Sequence, residues 1–90
     1  MSESREAVEA RYLELYPRGT PLIVACENGN LDDVEVLLTD DNKNAFGKGS
    51  SGYFSYTPLM AAATNSLNLI VAHYLKKRGM SIAILNPLKF

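Results

Sequence analysis

The amino-acid sequence predicts an all-α fold made of stacked helix-turn-helix units. Three observations predict it: apolar residues recur at helical spacing in several short segments, a Thr-Pro-Leu sequence that can begin a helix occurs twice, and the segment around it is repeated. Shifted by 37 residues, the segment from Thr20 to Leu38 is identical at seven of its nineteen positions, where about one identity is expected by chance. The chain therefore contains the same structural unit twice.

The composition is that of one small domain, which we assign to residues 1–90. The hydrophobic fraction of 47% and the charged fraction of 21% are typical of globular proteins. A net charge of −1 gives no excess of positive charge for a nucleic acid or an anionic membrane, so neither is expected as a partner. A single cysteine, Cys26, permits no internal disulfide, and no Cys/His cluster has metal-ligand spacing. We expect no metal, no cofactor, and a location in the cytoplasm or nucleus.

The first predicted element is an amphipathic capping helix over 4–16. Its apolar residues Val8, Tyr12 and Leu15 lie at i, i+4 and i+7, so they share one face. The helix must end near Pro17, because a proline disfavours helical geometry in the residue before it. We interpret this helix as a cap over the first repeat.

Repeat one is assigned to 19–52 and begins with two short helices. Thr20 can accept a hydrogen bond at the start of the first of them, and Gly29 suits a left-handed residue just past its end. Asn30 can cap the second helix in the same way as Thr20. The apolar stripe of the second helix consists of Leu31, Val34, Leu37 and Leu38.

A long loop over 39–56 separates the two copies. It is rich in glycine, serine and asparagine, which favours turns, and it ends in three aromatic residues within four positions. Repeat two is assigned to 53–86, with its own helix start at Thr57, and 87–90 form a tail.

Taken together, these motifs resemble the ankyrin repeat. The matching features are a period in the thirties, a helix that begins with Thr-Pro-Leu, a pair of small residues one turn later, and a second helix ending in Leu-Leu. The matching stretches are 20–29 with 34–38, and 57–63 with 71–75. The resemblance, which covers roughly 19–86, implies a short solenoid with a long hairpin-like loop between its repeats. The small pairs Ala25-Cys26 and Ala62-Ala63 would let neighbouring helices approach closely.

The sequence departs from the family pattern at three places. The family's histidine after Thr-Pro-Leu is replaced by Ile23 and Met60, and Ser66 replaces the glycine between the helices. The 39–56 loop carries about four additional residues.

The resemblance implies a module that binds another protein and is not an enzyme, so no catalytic residue is expected. In the family, the residues before Thr-Pro-Leu form the tip of a projecting hairpin, which here corresponds to Tyr53, Phe54 and Tyr56. The outward residues of the first helices line a concave groove, and the matching positions are Glu27, Asn28, Thr64 and Asn65. Tyr53 and Phe54 have two open interpretations: contacts for a partner, or side chains that pack on the repeat core and fix the loop.

An alternative function follows from the small number of repeats. About three ankyrin units are generally needed for a stable stack, whereas this chain has two and a cap. Three possibilities follow for its C-terminal repeat end: the tail folds back over it, it pairs with another chain, or the natural protein continues. In the alternative, the chain is a structural or self-assembling fragment: this end forms a homodimer, or it docks onto an adjoining domain of a larger ankyrin protein.

The other reactive or charged residues have structural explanations. Cys26 occupies a small-residue core position, His73 is expected to be partly buried, and the cations at 76–78 suit the negative end of a helix dipole. Four aspartates lack the spacing of a calcium loop and are assigned to solvation and helix capping. They are Asp32, Asp33, Asp40 and Asp41.

Overall fold

The computed structural model describes residues 3–64 and 69–79, and these two ranges form a mostly helical repeat fold, as predicted. The ranges contain five helices and one small antiparallel sheet. The helices are α1 (Arg5–Leu15), α2 (Pro21–Asn28), α3 (Leu31–Leu37), α4 (Pro58–Ala63) and α5 (Leu69–Lys77). The sheet consists of β1 (Gly47–Lys48) and β2 (Ser55–Tyr56).

Two helix pairs stack side by side around one core. Within the pairs, α2 packs against α3 and α4 against α5, and between the pairs α2 packs against α4. α1 lies against both α2 and α3, so it covers the amino end of the stack. The largest fully buried apolar residues are Val8, Ile23, Val24, Val34, Leu37, Leu59, Val71 and Leu75. Each pair thus completes its core with its neighbour, which is how repeat folds are stabilised.

Local capping determines where several helices begin and end. The Ser4 hydroxyl accepts a hydrogen bond from the Ala7 N–H at 3.2 Å, and the Asn30 side chain accepts one from the Asp33 N–H at 3.4 Å. Gly29 ends α2 with a φ of 72°, the left-handed conformation expected there. The predictions for Gly29 and Asn30 are confirmed.

The Thr20 hydroxyl does not cap α2, contrary to the expectation from the sequence. Its Oγ1 accepts a hydrogen bond from the Lys48 N–H at 3.1 Å, and the Thr20 N–H donates to the Lys48 carbonyl at 2.9 Å. The reason is that β1 returns to the start of α2 and takes up both groups. In the second copy, Thr57 does cap α4 and accepts a hydrogen bond from the Met60 N–H at 3.2 Å.

The first part of the 39–56 loop closes the end of α3. The Thr39 N–H donates to the Asn42 side chain at 2.8 Å, and the Asn42 N–H donates to the Thr39 hydroxyl at 3.1 Å. The Asn42 side-chain amide also donates to the Leu37 carbonyl at 2.9 Å. These bonds satisfy main-chain groups that the helix end leaves without a helical partner.

The second part of the loop is a β-hairpin that lies against α2. Its pairs are Gly47 with Tyr56 and Lys48 with Ser55. A Cβ atom on Gly47 would lie 2.7 Å from Thr20 Oγ1 and 2.8 Å from Ile23 Cγ1. Only a residue without a side chain permits this approach, so Gly47 sets how closely the hairpin packs on the helix.

Burial differs between the two copies at the end of the stack. On α2, Ile23 and Cys26 are 1% and 0% exposed, because the hairpin and the next helix pair cover this helix. At the equivalent positions on α4, Met60 is half-buried and Ala63 is exposed. Of the small pair on α4, Ala62 is therefore buried and Ala63 is not, since no described helix lies beyond α4.

One residue of the predicted capping face also lies outside the core. α1 buries Val8 and Tyr12 as expected, but Leu15 is 65% exposed. The helix ends there, and Tyr16 takes the inward position, with its ring stacked on Tyr12 at a centroid distance of 6.3 Å. The predictions for Ser66 and for the segment after Gly79 fall outside the described residues.

Candidate interaction surface

Two aromatic side chains at the hairpin tip are largely exposed. Tyr53 is 72% exposed and Phe54 is 65% exposed, so these two side chains do not pack on the repeat core. Tyr56, on β2, is half-buried against the core. Sequence reasoning missed Phe46, which precedes β1 and is 66% exposed. Its signal was a large apolar residue within a loop of otherwise polar and small residues.

The hairpin is bound to α2 both at its first strand and in its turn. Besides the two bonds between Thr20 and Lys48, Glu27 Oε1 accepts a hydrogen bond from the Ser50 N–H at 2.9 Å. A Cβ atom on Gly49 would lie 2.5 Å from Glu27 Oε2, so the carboxylate lies directly against this glycine. Glu27, expected in an open groove, is half-buried and positions the hairpin.

The remaining groove positions lie at the ends of the two inner helices. Asn28 is exposed at the end of α2, and Thr64 is exposed just after α4. The Thr64 hydroxyl donates to the Ala61 carbonyl at 2.7 Å. Because α2 and α4 are neighbours, the two residues lie at the ends of adjacent helices. Asn65 lies outside the described residues.

A comparison with protein families agrees with this geometry. The family model described as "Ankyrin repeats (3 copies)" matches residues 5–86. The chain belongs to the ankyrin repeat family. The match begins within α1 and therefore includes the helix that precedes the first Thr-Pro-Leu motif. No curated protein and no solved structure matches the chain. Ankyrin repeats are generally protein–protein interaction modules.

Charge is divided unevenly along this ankyrin repeat chain. All ten acidic residues precede Asn42, and with the three arginines of that segment they give it a net charge of −7. From Asn42 onward the sequence has six lysines and arginines and no acidic residue, a net charge of +6. The hairpin and the second helix pair thus belong to the basic half. The charges of the two segments nearly cancel, so the net charge of the whole chain is only −1 and does not reveal the division.

A further cation lies beside the hairpin although it is distant in sequence. Gly52, in the turn of the hairpin, has a φ of 78°, and a Cβ atom there would lie 2.6 Å from Arg18 Cβ and 3.2 Å from Arg18 Cδ. The stem of Arg18 therefore packs on the turn at Gly52, the residue that precedes Tyr53 in the sequence. Arg18 and Lys48 are both exposed. The surface that the ankyrin hairpin presents combines apolar side chains with two cations.

Asp33 is not the solvated capping residue that the sequence suggested. It is 8% exposed, and its carboxylate accepts a 2.6 Å hydrogen bond from the Tyr12 hydroxyl and two bonds of 3.2 and 3.3 Å from the Arg11 guanidinium. Arg11 also donates to Glu3 at 2.5 Å. Burial raises the pKa of Asp33, but the hydrogen bonds from Tyr12 and Arg11 outweigh burial and lower the pKa below its usual value. This cluster joins α1 to α3, so we assign it to stability.

Cys26 and His73 lie in opposite environments, the first buried and the second exposed. Cys26 is fully buried, and burial together with the nearby Glu27 raises the pKa of its thiol to about 12, which suppresses the reactive thiolate. His73 is exposed, so the expectation of a partly buried role is wrong. It falls on the face of α5 opposite the buried Val71 and Leu75.

The described residues also contain no site for a metal and no membrane-spanning segment. Within 3–64 and 69–79, no group of three or more His, Cys, Asp and Glu side chains could hold a metal ion. No helix in these two ranges of the chain has the length and apolar character needed to cross a membrane.

Proposed function

We propose that this ankyrin repeat chain binds another protein through the tip of its hairpin and the adjoining groove, and that it performs no chemistry. The observation that carries the proposal is the exposure of Tyr53 and Phe54 on a hairpin that is bound to α2. Buried aromatic side chains supply much of the binding energy at protein interfaces. Both side chains have most of their surface available for a partner.

The attachment of the hairpin supports this role. The bonds from Thr20 and Glu27 hold both the start of the hairpin and its turn before any partner arrives. A loop that is already ordered loses less conformational entropy on binding than a free one. Glu27 therefore contributes to binding by positioning the hairpin.

The groove residues supply the polar part of the proposed surface. Asn28 and Thr64 are exposed at the ends of adjacent inner helices, and we include Asn65 with them by its place in the sequence. Tyr56 contributes its exposed part from β2, and the rest of its side chain packs against the core. Polar groups around an apolar centre are the usual arrangement of a protein interface.

The proposal is tested by affinity capture from the source cell with the wild-type chain and two variants. The double variant Tyr53→Ala, Phe54→Ala removes the exposed aromatics, and Leu15→Ala removes an equally exposed apolar side chain from α1, outside the hairpin. We expect the double variant to lose the captured partner and Leu15→Ala to retain it. Capture of the same partner by the double variant, with an unchanged melting temperature, would contradict the proposal.

A second candidate function is self-assembly, and two observations favour it. Leu69 and Ile70, at the start of α5, are each 68% exposed, and the two halves of the chain carry opposite net charges. A homodimer could bury the two apolar residues and place the basic half of one copy against the acidic half of the other. Sedimentation equilibrium over a range of concentrations tests this, and a monomer at every concentration excludes it.

We further propose that neither a nucleic acid nor a membrane is the partner, and that the chain works in the cytoplasm or nucleus. The net charge of −1 supports the first point, because binding to phosphates requires an excess of positive charge. The single cysteine of the sequence, which permits no internal disulfide, supports the second, because disulfides are rare in those compartments. Fluorescence microscopy of the tagged chain in its source cell tests the location.

A further inference from the structure

The hairpin presents positive charge around an apolar tip. Lys48 lies on β1, and the stem of Arg18 packs on the turn at Gly52, the residue that precedes Tyr53 in the sequence. Both cations are exposed. The sequence from Asn42 onward has no acidic residue, so neither strand nor the turn contributes a negative charge.

The carboxylate of Glu27, which lies against the hairpin, is directed to the hairpin main chain and not to the outer surface that a partner would contact. Glu27 is half-buried, and its Oε1 accepts the hydrogen bond from the Ser50 N–H. Its other oxygen lies against Gly49. The remaining acidic residues belong to α1 and the segment just before it, to α3 and to the turn after α3. The charge at the tip is therefore positive although the whole chain is slightly negative.

We propose that the hairpin recognises an acidic protein segment, in which aspartates or glutamates flank one aromatic or aliphatic residue. The inference rests on the proposed function, because it names the chemistry of the partner that the same surface binds. The apolar residue of the segment packs against Tyr53 and Phe54, and its carboxylates lie against Lys48 and Arg18. A segment of the opposite charge is repelled by the same cations.

An acidic protein segment fits this surface better than a polyphosphate does. A nucleic acid or an anionic membrane carries negative charge over a long distance and binds through many cations at once. Here two cations adjoin an apolar tip, and the first 41 residues carry a net charge of −7 that repels an extended polyanion. A short segment with a few carboxylates meets the cations without approaching the acidic half.

Selection from a displayed library of short random peptides tests the inference. The baits are the immobilised wild-type chain and three variants whose folding is checked by circular dichroism and thermal melting. The charge variant is Arg18→Glu with Lys48→Glu, the matched control is Lys76→Glu with Lys77→Glu at the end of α5, and the apolar variant is Tyr53→Ala with Phe54→Ala. The control makes the same change in net charge away from the hairpin.

We expect peptides selected on the wild-type chain to be enriched in Asp and Glu around an apolar residue. Their affinity should fall roughly 5- to 30-fold in the charge variant, remain within about 2-fold in the control, and weaken as salt is added. The apolar variant should abolish selection.

The other outcomes are equally informative. Peptides that need Tyr53 and Phe54 but show no acidic enrichment overturn the inference and leave the proposed function intact. Peptides that bind regardless of Tyr53 and Phe54 contradict the proposed function itself. Failure to select any peptide counts against the inference. So does binding of a single-stranded DNA oligonucleotide or of phosphatidylserine vesicles that is lost in the charge variant, because the cations would then serve phosphates.

Discussion

The Tyr12 hydroxyl donates a 2.6 Å hydrogen bond to Oδ2 of Asp33 and so joins the capping helix α1 to α3. Tyr12 is 4% exposed and Asp33 is 8% exposed, so water competes little for this bond. A buried hydrogen bond to a carboxylate contributes more to stability than one between neutral groups. The cap is therefore attached by a specific polar contact as well as by the burial of Val8.

The Tyr12→Phe variant removes this bond and leaves the ring in place. We expect the free energy of unfolding, measured by urea denaturation, to fall by about 1.5–3 kcal/mol, the usual contribution of a hydrogen bond to a charged group. Tyr16→Phe is the matched control, because the Tyr16 hydroxyl makes no hydrogen bond to the described residues. A similar loss in both variants would show that the bond to Asp33 is unimportant.

The carboxylate of Asp33 makes the free energy of unfolding depend on pH. Because the pKa of Asp33 is lower in the folded state than the unfolded value of about 3.9, its contribution is complete above about pH 4 and is lost as the pH falls through the folded pKa. We expect the free energy of unfolding of Asp33→Asn, measured by denaturation from neutral pH into this acidic range, to decline less steeply than that of the wild type. Asp32→Asn, at an exposed position in the same turn, should retain the wild-type decline. An unchanged decline in Asp33→Asn would refute the assignment.

Thr20 binds the hairpin to α2 through its hydroxyl. In Thr20→Val the Lys48 N–H loses its acceptor, and its hydrogen exchange should accelerate about 5-fold if the bond contributes about 1 kcal/mol. Ser55→Ala, at the strand position paired with Lys48, is the control and should leave that rate unchanged. Equal exchange of the Lys48 amide in the wild type and in Thr20→Val would mean that the hydroxyl does not hold the hairpin.

Neighbouring alanines on α4 should respond differently to enlargement. Ala62 is 1% exposed and Ala63 is exposed. Ala62→Leu should lower the free energy of unfolding by about 1–3 kcal/mol through overpacking, whereas Ala63→Leu should change it by less than about 0.5 kcal/mol. Thermal and urea denaturation of the two variants measure this difference. A large loss in Ala63→Leu would mean that another surface covers this end of α4.

The features that depend on nearby residues could be predicted from the sequence. Gly29 ends α2 and Asn30 begins α3 because a left-handed glycine and a side-chain cap act within a few residues. The repeat of Thr-Pro-Leu predicted two similar helix pairs for the same reason. These local signals were sufficient to predict the fold.

The features that depend on distant residues could not be predicted in the same way. Thr20 has the chemistry of a cap, but a strand 28 positions later takes up its hydroxyl. Asp33 has the chemistry of a helix-start residue, but Tyr12 and Arg11 approach it from another helix. Glu27 has the position of a groove residue, but the hairpin folds onto its carboxylate. In each case a partner that the fold brings near decides the role.

The candidate surface was predictable in part. Family resemblance placed Tyr53 and Phe54 at a hairpin, but only the fold shows that they are exposed. The division of charge at Asn42 could be counted in the sequence. Its relevance to the tip depends on the fold, which brings the stem of Arg18 against the turn.

The central claim is that α2 and α4 share one apolar seam, with the hairpin held beside them. A methyl NOESY spectrum of the chain in solution tests it most directly. We predict cross-peaks between the buried methyl groups of α2 and those of Leu59 and Ala62 on α4, together with helical NOEs through both segments. Absence of contacts between the two helices, or a strand pattern over residues 22–38, would contradict the account.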